Sequence, residues 1–236
     1  MPHGDAKKPE QIRVDVSPSE HVTALAYRAA PRNGAGVILI LAHGAGANQT
    51  SSFMVRFATS LAARGIDTVT FNFVYTQQGR RVPDRTDKLE SCYRTVTEAV
   101  RSGKLYDDTD RRKLVIGGKS MGGRIASQIV AAGLEGIAGL VLLGYPLHPP
   151  GRPDKLRSKH LPDIRVPMLF IQGSRDAFGT PDELRAAMGL NVAAEICVVE
   201  GGDHSFMVPK RSAMPQDQVH EFVLDEIVRW LRVKIG

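Results

Sequence analysis

Apolar residues along this chain fall into two alternating rhythms. Short runs rich in branched side chains occur at Val37-Ile-Leu-Ile-Leu41, Thr68–Phe73, Lys113–Gly117, Leu140–Leu143, Pro167–Ile171 and Glu195–Val199. Runs of that length and continuity predict strands buried on both faces. Between them the apolar positions recur at helical spacing. Ser51–Arg64 places Phe53, Met54, Phe57 and Leu61 on one face, and Gly65 stands where that helix should stop. A polar loop, Gln77–Asp87, precedes a helix carrying Leu89, Cys92, Tyr93, Val96 and Val100. Met121–Ala132 and Asp217–Val233 complete the helical set, the last with Val219, Phe222, Val223, Ile227, Trp230 and Leu231 on one face.

Strands separated by helices predict an α/β fold, a mostly parallel central sheet with helices on both faces. Two earlier runs, Ile12–Val16 and Val22–Tyr27, predict a hairpin pairing antiparallel at one edge. No internal repeat, low-complexity stretch or linker interrupts the 236 residues, so one domain is expected, with residues 1–11 as a flexible tail.

Composition changes this picture little. The formal charge of +6 comes from scattered basic residues, with short clusters only at Arg80–Arg81 and Arg111–Lys113. No nucleic-acid-binding module is recognisable, and none is expected. No apolar run reaches the ~18 residues of a membrane span, and the polar amino terminus lacks the apolar core of a secretory leader. Cytoplasmic residence is the expectation. Cys92 and Cys197 form no framework, and the seven histidines show no metal-ligand spacing, so neither a metal nor a cofactor is expected.

The candidate chemistry begins at Gly118-Lys-Ser-Met-Gly122. This G-x-S-x-G pattern follows a predicted strand and precedes a predicted helix. In that setting the serine is forced into a strained turn, its hydroxyl stands clear of the sheet, and residues two away must lack bulk. The same stretch contains Gly118-Lys-Ser, the end of a phosphate-binding loop, but the glycine required five residues earlier is Lys113. A serine nucleophile needs a base and a group to orient that base. Asp176 follows the Pro167–Ile171 strand and His204 follows the Glu195–Val199 strand, so Ser120, Asp176 and His204 occur in the order such a sheet requires. Asp203 is a weaker substitute for Asp176. The loop His43-Gly-Ala-Gly46 supplies the remaining component: the backbone N–H groups of Ala45 and Met121 are the candidate oxyanion hole. His43 itself is expected to be a structural hydrogen-bonding residue.

These residues resemble the α/β-hydrolase fold superfamily from about Val37 onward. More narrowly, Leu41-Ala-His-Gly-Ala-Gly46, Phe71-Asn-Phe73, Gly79-Arg-Arg-Val-Pro-Asp84, Gly118–Arg124 and Gly144-Tyr-Pro-Leu-His-Pro-Pro-Gly151 are similar to the small hydrolase-like family of testis-expressed protein 30. They also resemble the hydrolase-like part of an NSL-complex subunit. Bacterial members of this group are described as hydrolases related to dienelactone hydrolases. Those enzymes typically carry a cysteine nucleophile where this chain has Ser120, a departure that argues against dienelactone cleavage. The serine favours ester, thioester or amide substrates, and a hydrolase of a small ester or thioester is the leading expectation.

Only about 21 residues, Tyr145–Arg165, precede the next strand, too few for a cap domain. Tyr145 and His148 are candidate lining residues, and Arg80 and Arg81 are candidate contacts for an anionic substrate group. The alternative is a non-catalytic binding or scaffold protein using the fold as a surface. A peptidase is a third reading, although nothing in the chain gates peptide entry.

Overall fold

The computed structural model describes residues 8–30, 34–103, 106, 111–189 and 193–236. Its centre is one eight-stranded sheet in the order β1-β2-β4-β3-β5-β6-β7-β8. The strands are β1 (Glu10–Ser17), β2 (Glu20–Tyr27), β3 (Val37–Ala42), β4 (Asp67–Phe71), β5 (Lys113–Lys119), β6 (Gly139–Leu143), β7 (Met168–Gly173) and β8 (Ala194–Val199). From β4 to β8 all neighbours are parallel, whereas β2 runs antiparallel to both β1 and β4. The predicted hairpin therefore forms one edge. Glu10 and Gln11, expected within a flexible tail over residues 1–11, instead pair with Ala26 and Leu25 in the sheet; the rest of that expectation, over residues 1–7, lies outside the described residues.

The helices are α1 (Ser52–Ala63), α2 (Val74–Gln77), α3 (Thr86–Arg101), α4 (Met121–Ala131), α5 (Pro181–Met188) and α6 (Gln216–Trp230). Side chains alternate across β3 as a pleated strand requires. Ile38, Ile40 and Ala42 join the core under α3, α4 and α5, while Val37, Leu39 and Leu41 join the core under α1 and α6. Burial on both faces explains why this strand reads as an unbroken apolar run.

Stops in the chain follow local rules. Gly65, at φ 92°, ends α1, with its N–H donating to the Ala62 carbonyl and that of Ile66 to the Leu61 carbonyl. That is the helix-terminating arrangement a glycine favours. The terminal helix buries Trp230 to 1% exposure, so its apolar stripe is core packing.

Three elements depart from the sequence-based expectation. The strand expected to reach Phe73 ends at Phe71, and the short helix α2, Val74–Gln77, intervenes before the expected loop. The strand β8 was expected to be buried on both faces, yet only Val199 is buried. Among the described residues it is the last strand of the sheet. Helix α5 was not expected. Thr180 begins it by accepting from the Glu183 N–H while Glu183 accepts from the Thr180 N–H, with a proline in the first turn.

Candidate active site

The carboxyl ends of β3, β5, β7 and β8 open on one edge of the sheet, where open parallel sheets place their sites. The turn between β5 and α4 is sterically determined. Ser120 has φ 51° and ψ −117°, a conformation that costs a non-glycine residue roughly 1–3 kcal/mol. A side chain on Gly118 or on Gly122 would put Cβ 2.3 Å from the Ala42 carbonyl oxygen of β3. A backbone contact that short forbids any residue but glycine at either position. The turn is held from the other side by the Ser120 N–H, which donates to the Leu143 carbonyl of β6 at 2.9 Å.

Ser120 Oγ lies 2.9 Å from His204 Nε2, and His204 Nδ1 lies 2.8 Å and 3.0 Å from the two Asp176 carboxylate oxygens. The structure thus brings together the three residues that the sequence pattern singled out. Asp176 is 2% exposed, and its carboxylate also accepts from the Phe178 N–H (2.8 Å) and from Gln172 Nε2 (2.9 Å). Those bonds fix the carboxylate facing Nδ1, which leaves Nε2 as the nitrogen facing serine. Asp203 is occupied elsewhere: its carboxylate accepts the N–H groups of Ser205 and Met207, closing the tight turn that presents His204.

Several contacts orient His204 that the motif did not reveal. Phe178 stacks on its ring at 4.1 Å. Lys119 reaches back from the end of β5 and donates to the His204 carbonyl at 2.6 Å. Burial pushes the Lys119 ammonium down to about 8, against a partial upward pull from Asp176 and Asp203. Its neighbourhood in Gly-Lys-Ser was visible in the sequence, but its partner 85 residues away was not.

The loop after β3 is built as tightly. His43 is fully buried and accepts from the Phe73 N–H through Nε2, while Nδ1 faces the Gly44 carbonyl at 2.8 Å. Desolvation lowers its pKa to about 4. A neutral ring bridging two loops is a structural element, in keeping with the expectation for His43. The Tyr75 hydroxyl donates to the Ala45 carbonyl (2.9 Å) and so fixes the peptide that follows Ala45. Ala45 is exposed at the cleft, and the Met121 N–H, first in α4, has no acceptor within its own helix. Both residues line the same hollow as Ser120.

That hollow is a cleft of about 600 Å³. Its walls include Phe53, Met54, Leu89 and Phe178, with Arg124 and Arg157 at one side. Two expected lining residues are not in it. Tyr145 is fully buried, with its N–H donating to Gln172 Oε1 and its hydroxyl to the Arg157 carbonyl. His148 is 5% exposed, its Nδ1 2.9 Å from the Pro149 carbonyl and its Nε2 3.4 Å from Glu183. Both turn inward because the segment after β6 folds down onto the protein and buries them as its anchors. Arg80 and Arg81 line an adjoining hollow instead, and Arg80 is paired with Asp84 at 2.7 Å. Among the described residues no cluster of three metal-ligating side chains occurs, and no helix is long and apolar enough to cross a membrane.

The family model described as an α/β-hydrolase domain matches residues 35–232. The chain belongs to the α/β-hydrolase family. Solved members of similar fold include a lidless α/β serine hydrolase from Xanthomonas campestris (20% identity, TM-score 0.71, 98% of each chain). A dienelactone hydrolase from Anabaena variabilis is 19% identical with a TM-score of 0.71, over 97% of this chain and 100% of that one. An esterase from Pyrococcus furiosus is 13% identical with a TM-score of 0.75, over 97% and 92%. At these identities the likeness is one of fold. This α/β-hydrolase has the mostly parallel sheet flanked by helices expected for it, with no added cap domain among the described residues.

Proposed function

We propose that this α/β-hydrolase is a serine hydrolase that cleaves small carboxylic esters or thioesters through an acyl-enzyme. The observation that carries this reading is the continuous hydrogen-bonded chain from Asp176 through His204 to Ser120, ending in a cleft. Ser120 Oγ attacks the substrate carbonyl carbon as its proton passes to His204 Nε2. Asp176 holds the imidazole by Nδ1 and stabilises the imidazolium that forms. The carbonyl oxygen becomes an oxyanion facing the N–H groups of Ala45 and Met121, aided by the positive end of α4. His204 then returns the proton to the departing alcohol or thiol. Water, activated by the same nitrogen, releases the acid and restores Ser120.

What supports this over a scaffold role is cost. A strained Ser120 and a buried carboxylate committed to His204 both oppose stability, and an interaction surface needs neither. Labelling with a fluorophosphonate probe tests the reading. The expected adduct maps to Ser120 and is absent in Ser120→Ala. A folded wild-type protein that takes no label would instead favour a non-catalytic role.

A further inference from the structure

We propose that the cleft beside Ser120 takes a substrate bearing an anionic group, a carboxylate or phosphate, held between Arg124 and Arg157. This inference rests on the hydrolase reading and names the substrate class of the same site.

The cationic groups around the cleft differ in what they are already doing. Arg80 is satisfied by Asp84, and the Lys119 ammonium is committed to the His204 carbonyl. Arg124 and Arg157 are not satisfied. Both line the cleft, yet among the described residues no carboxylate lies within ion-pair distance of either. The half-buried Arg124 guanidinium has five N–H groups and gives one hydrogen bond, to Gln128 Oε1 at 3.2 Å. Asp84, the carboxylate on the cleft wall, is taken by Arg80 and by the Tyr75 N–H.

Burial, and secondarily the Arg157 charge, lowers the Arg124 pKa, but a guanidinium remains charged at any ordinary pH. The cleft wall therefore carries a half-buried cation, Arg124, repelled by the exposed Arg157 beside it. Glu90 offsets this in part from beyond ion-pair distance, while burial drives His160 down to about 4 and the Tyr145 phenol up to about 12, so both are neutral. A bound anion would relieve the repulsion and receive charge-assisted hydrogen bonds.

The placement suits a substrate group rather than a surface ion. Arg124 lies four residues beyond Ser120 in the helix that Ser120 begins, about 6 Å along its axis. An anion there is within a few bonds of the carbonyl under attack. Arg157 comes from the segment after β6, whose backbone is fixed at that residue by the Tyr145 hydroxyl and by its own N–H donating to the Leu147 carbonyl at 2.7 Å. The two guanidinium groups thus approach the cleft from independent, anchored supports.

The test compares matched ester pairs. One pair carries the charge on the acyl side, p-nitrophenyl hemiglutarate against p-nitrophenyl valerate. The other carries it on the leaving group, 4-carboxyphenyl and 4-phosphonophenyl butyrate against 4-carbamoylphenyl butyrate. The expected result is a kcat/KM at least about tenfold higher for a charged member of one pair, the size of one charge-assisted hydrogen bond. That ratio should collapse toward one in Arg157→Gln and in Arg124→Gln. It is internally normalised, and Arg157 is exposed, so poor folding of the Arg124 variant would not hide the answer. Ser120-dependent turnover with no charge preference, or a preference surviving both substitutions, would overturn the anion site and leave the hydrolase reading intact. If no ester is turned over, fluorophosphonate labelling of Ser120 decides the hydrolase reading, and thermal shift with glutarate and with inorganic phosphate decides the anion site. A rise in Tm lost in the arginine variants supports it; no rise overturns it.

Discussion

The turn at Ser120 and the segment from Gly144 to Arg165 leave adjacent parallel strands at the same edge of the sheet, yet they are specified in different ways. At Ser120 the constraint is local and steric. β3 passes so close that Gly118 and Gly122 admit no side chain, and the serine is left in a left-handed conformation as a consequence. After β6 the constraint is tertiary. Tyr145, His148 and Arg157 are positioned by partners on β7, on the Phe178 loop and within the segment itself. A short-range rule can be read from a pentapeptide. A set of long-range anchors cannot, which is why Tyr145 and His148 pass for cleft residues until the chain is folded.

The largest expected effect lies where the two regions meet, at Asp176, which Gln172 links to Tyr145. Asp176→Asn should lower kcat/KM for an ester by about 10³–10⁴-fold with the fold retained, because the amide can impose the wrong imidazole tautomer. Asp203→Asn, at the neighbouring strand end, should cost far less; equal losses in the two variants would dissolve the distinction drawn between them.

Next is the elbow itself. Gly122→Ala puts a methyl group against the Ala42 backbone and should destabilise the protein by about 3 kcal/mol or more, read as a fall in denaturant midpoint. A near-neutral result would mean that β3 and α4 can separate.

His43 gives a pH-dependent counterpart. Its folded pKa of about 4 lies below its ordinary value of 6.5, so the unfolded chain binds the proton first. Its contribution is whole above about pH 6.5 and is lost as pH falls toward 4, at up to ~1.4 kcal/mol per pH unit. Thermal unfolding between pH 7 and pH 4 should therefore flatten in His43→Gln relative to wild type.

The smallest effect belongs to the segment after β6. Tyr145→Phe removes the bond to the Arg157 carbonyl and should cost ~1 kcal/mol, with little change in turnover of a neutral ester. A large loss of turnover would place Tyr145 at the chemistry after all.

These contrasts also show what the sequence could carry. The apolar and β-branched runs marked the strands because burial on both faces disfavours polar side chains, and β8, the outermost strand among the described residues, is where that inference overreached. The order of Ser120, Asp176 and His204 was legible because each follows a strand end. Helix α5 announced itself in Thr180-Pro-Asp-Glu183 but is too short for a strong periodicity. Lys119, Gln172, Tyr75 and Phe178 had no local signature, since each acts on a partner distant in the chain or on a ring that only folding brings near. The basic pair Arg80–Arg81 drew attention by adjacency, whereas Arg124 and Arg157, 33 positions apart in the sequence, converge only through the fold.

The central claim is that Ser120 is the nucleophile of an esterase-type reaction, and hydrolysis of p-nitrophenyl esters of graded chain length tests it most directly. Wild-type turnover should fall by about 10³-fold or more in a folded Ser120→Ala variant. Turnover that Ser120→Ala leaves unchanged would contradict the account.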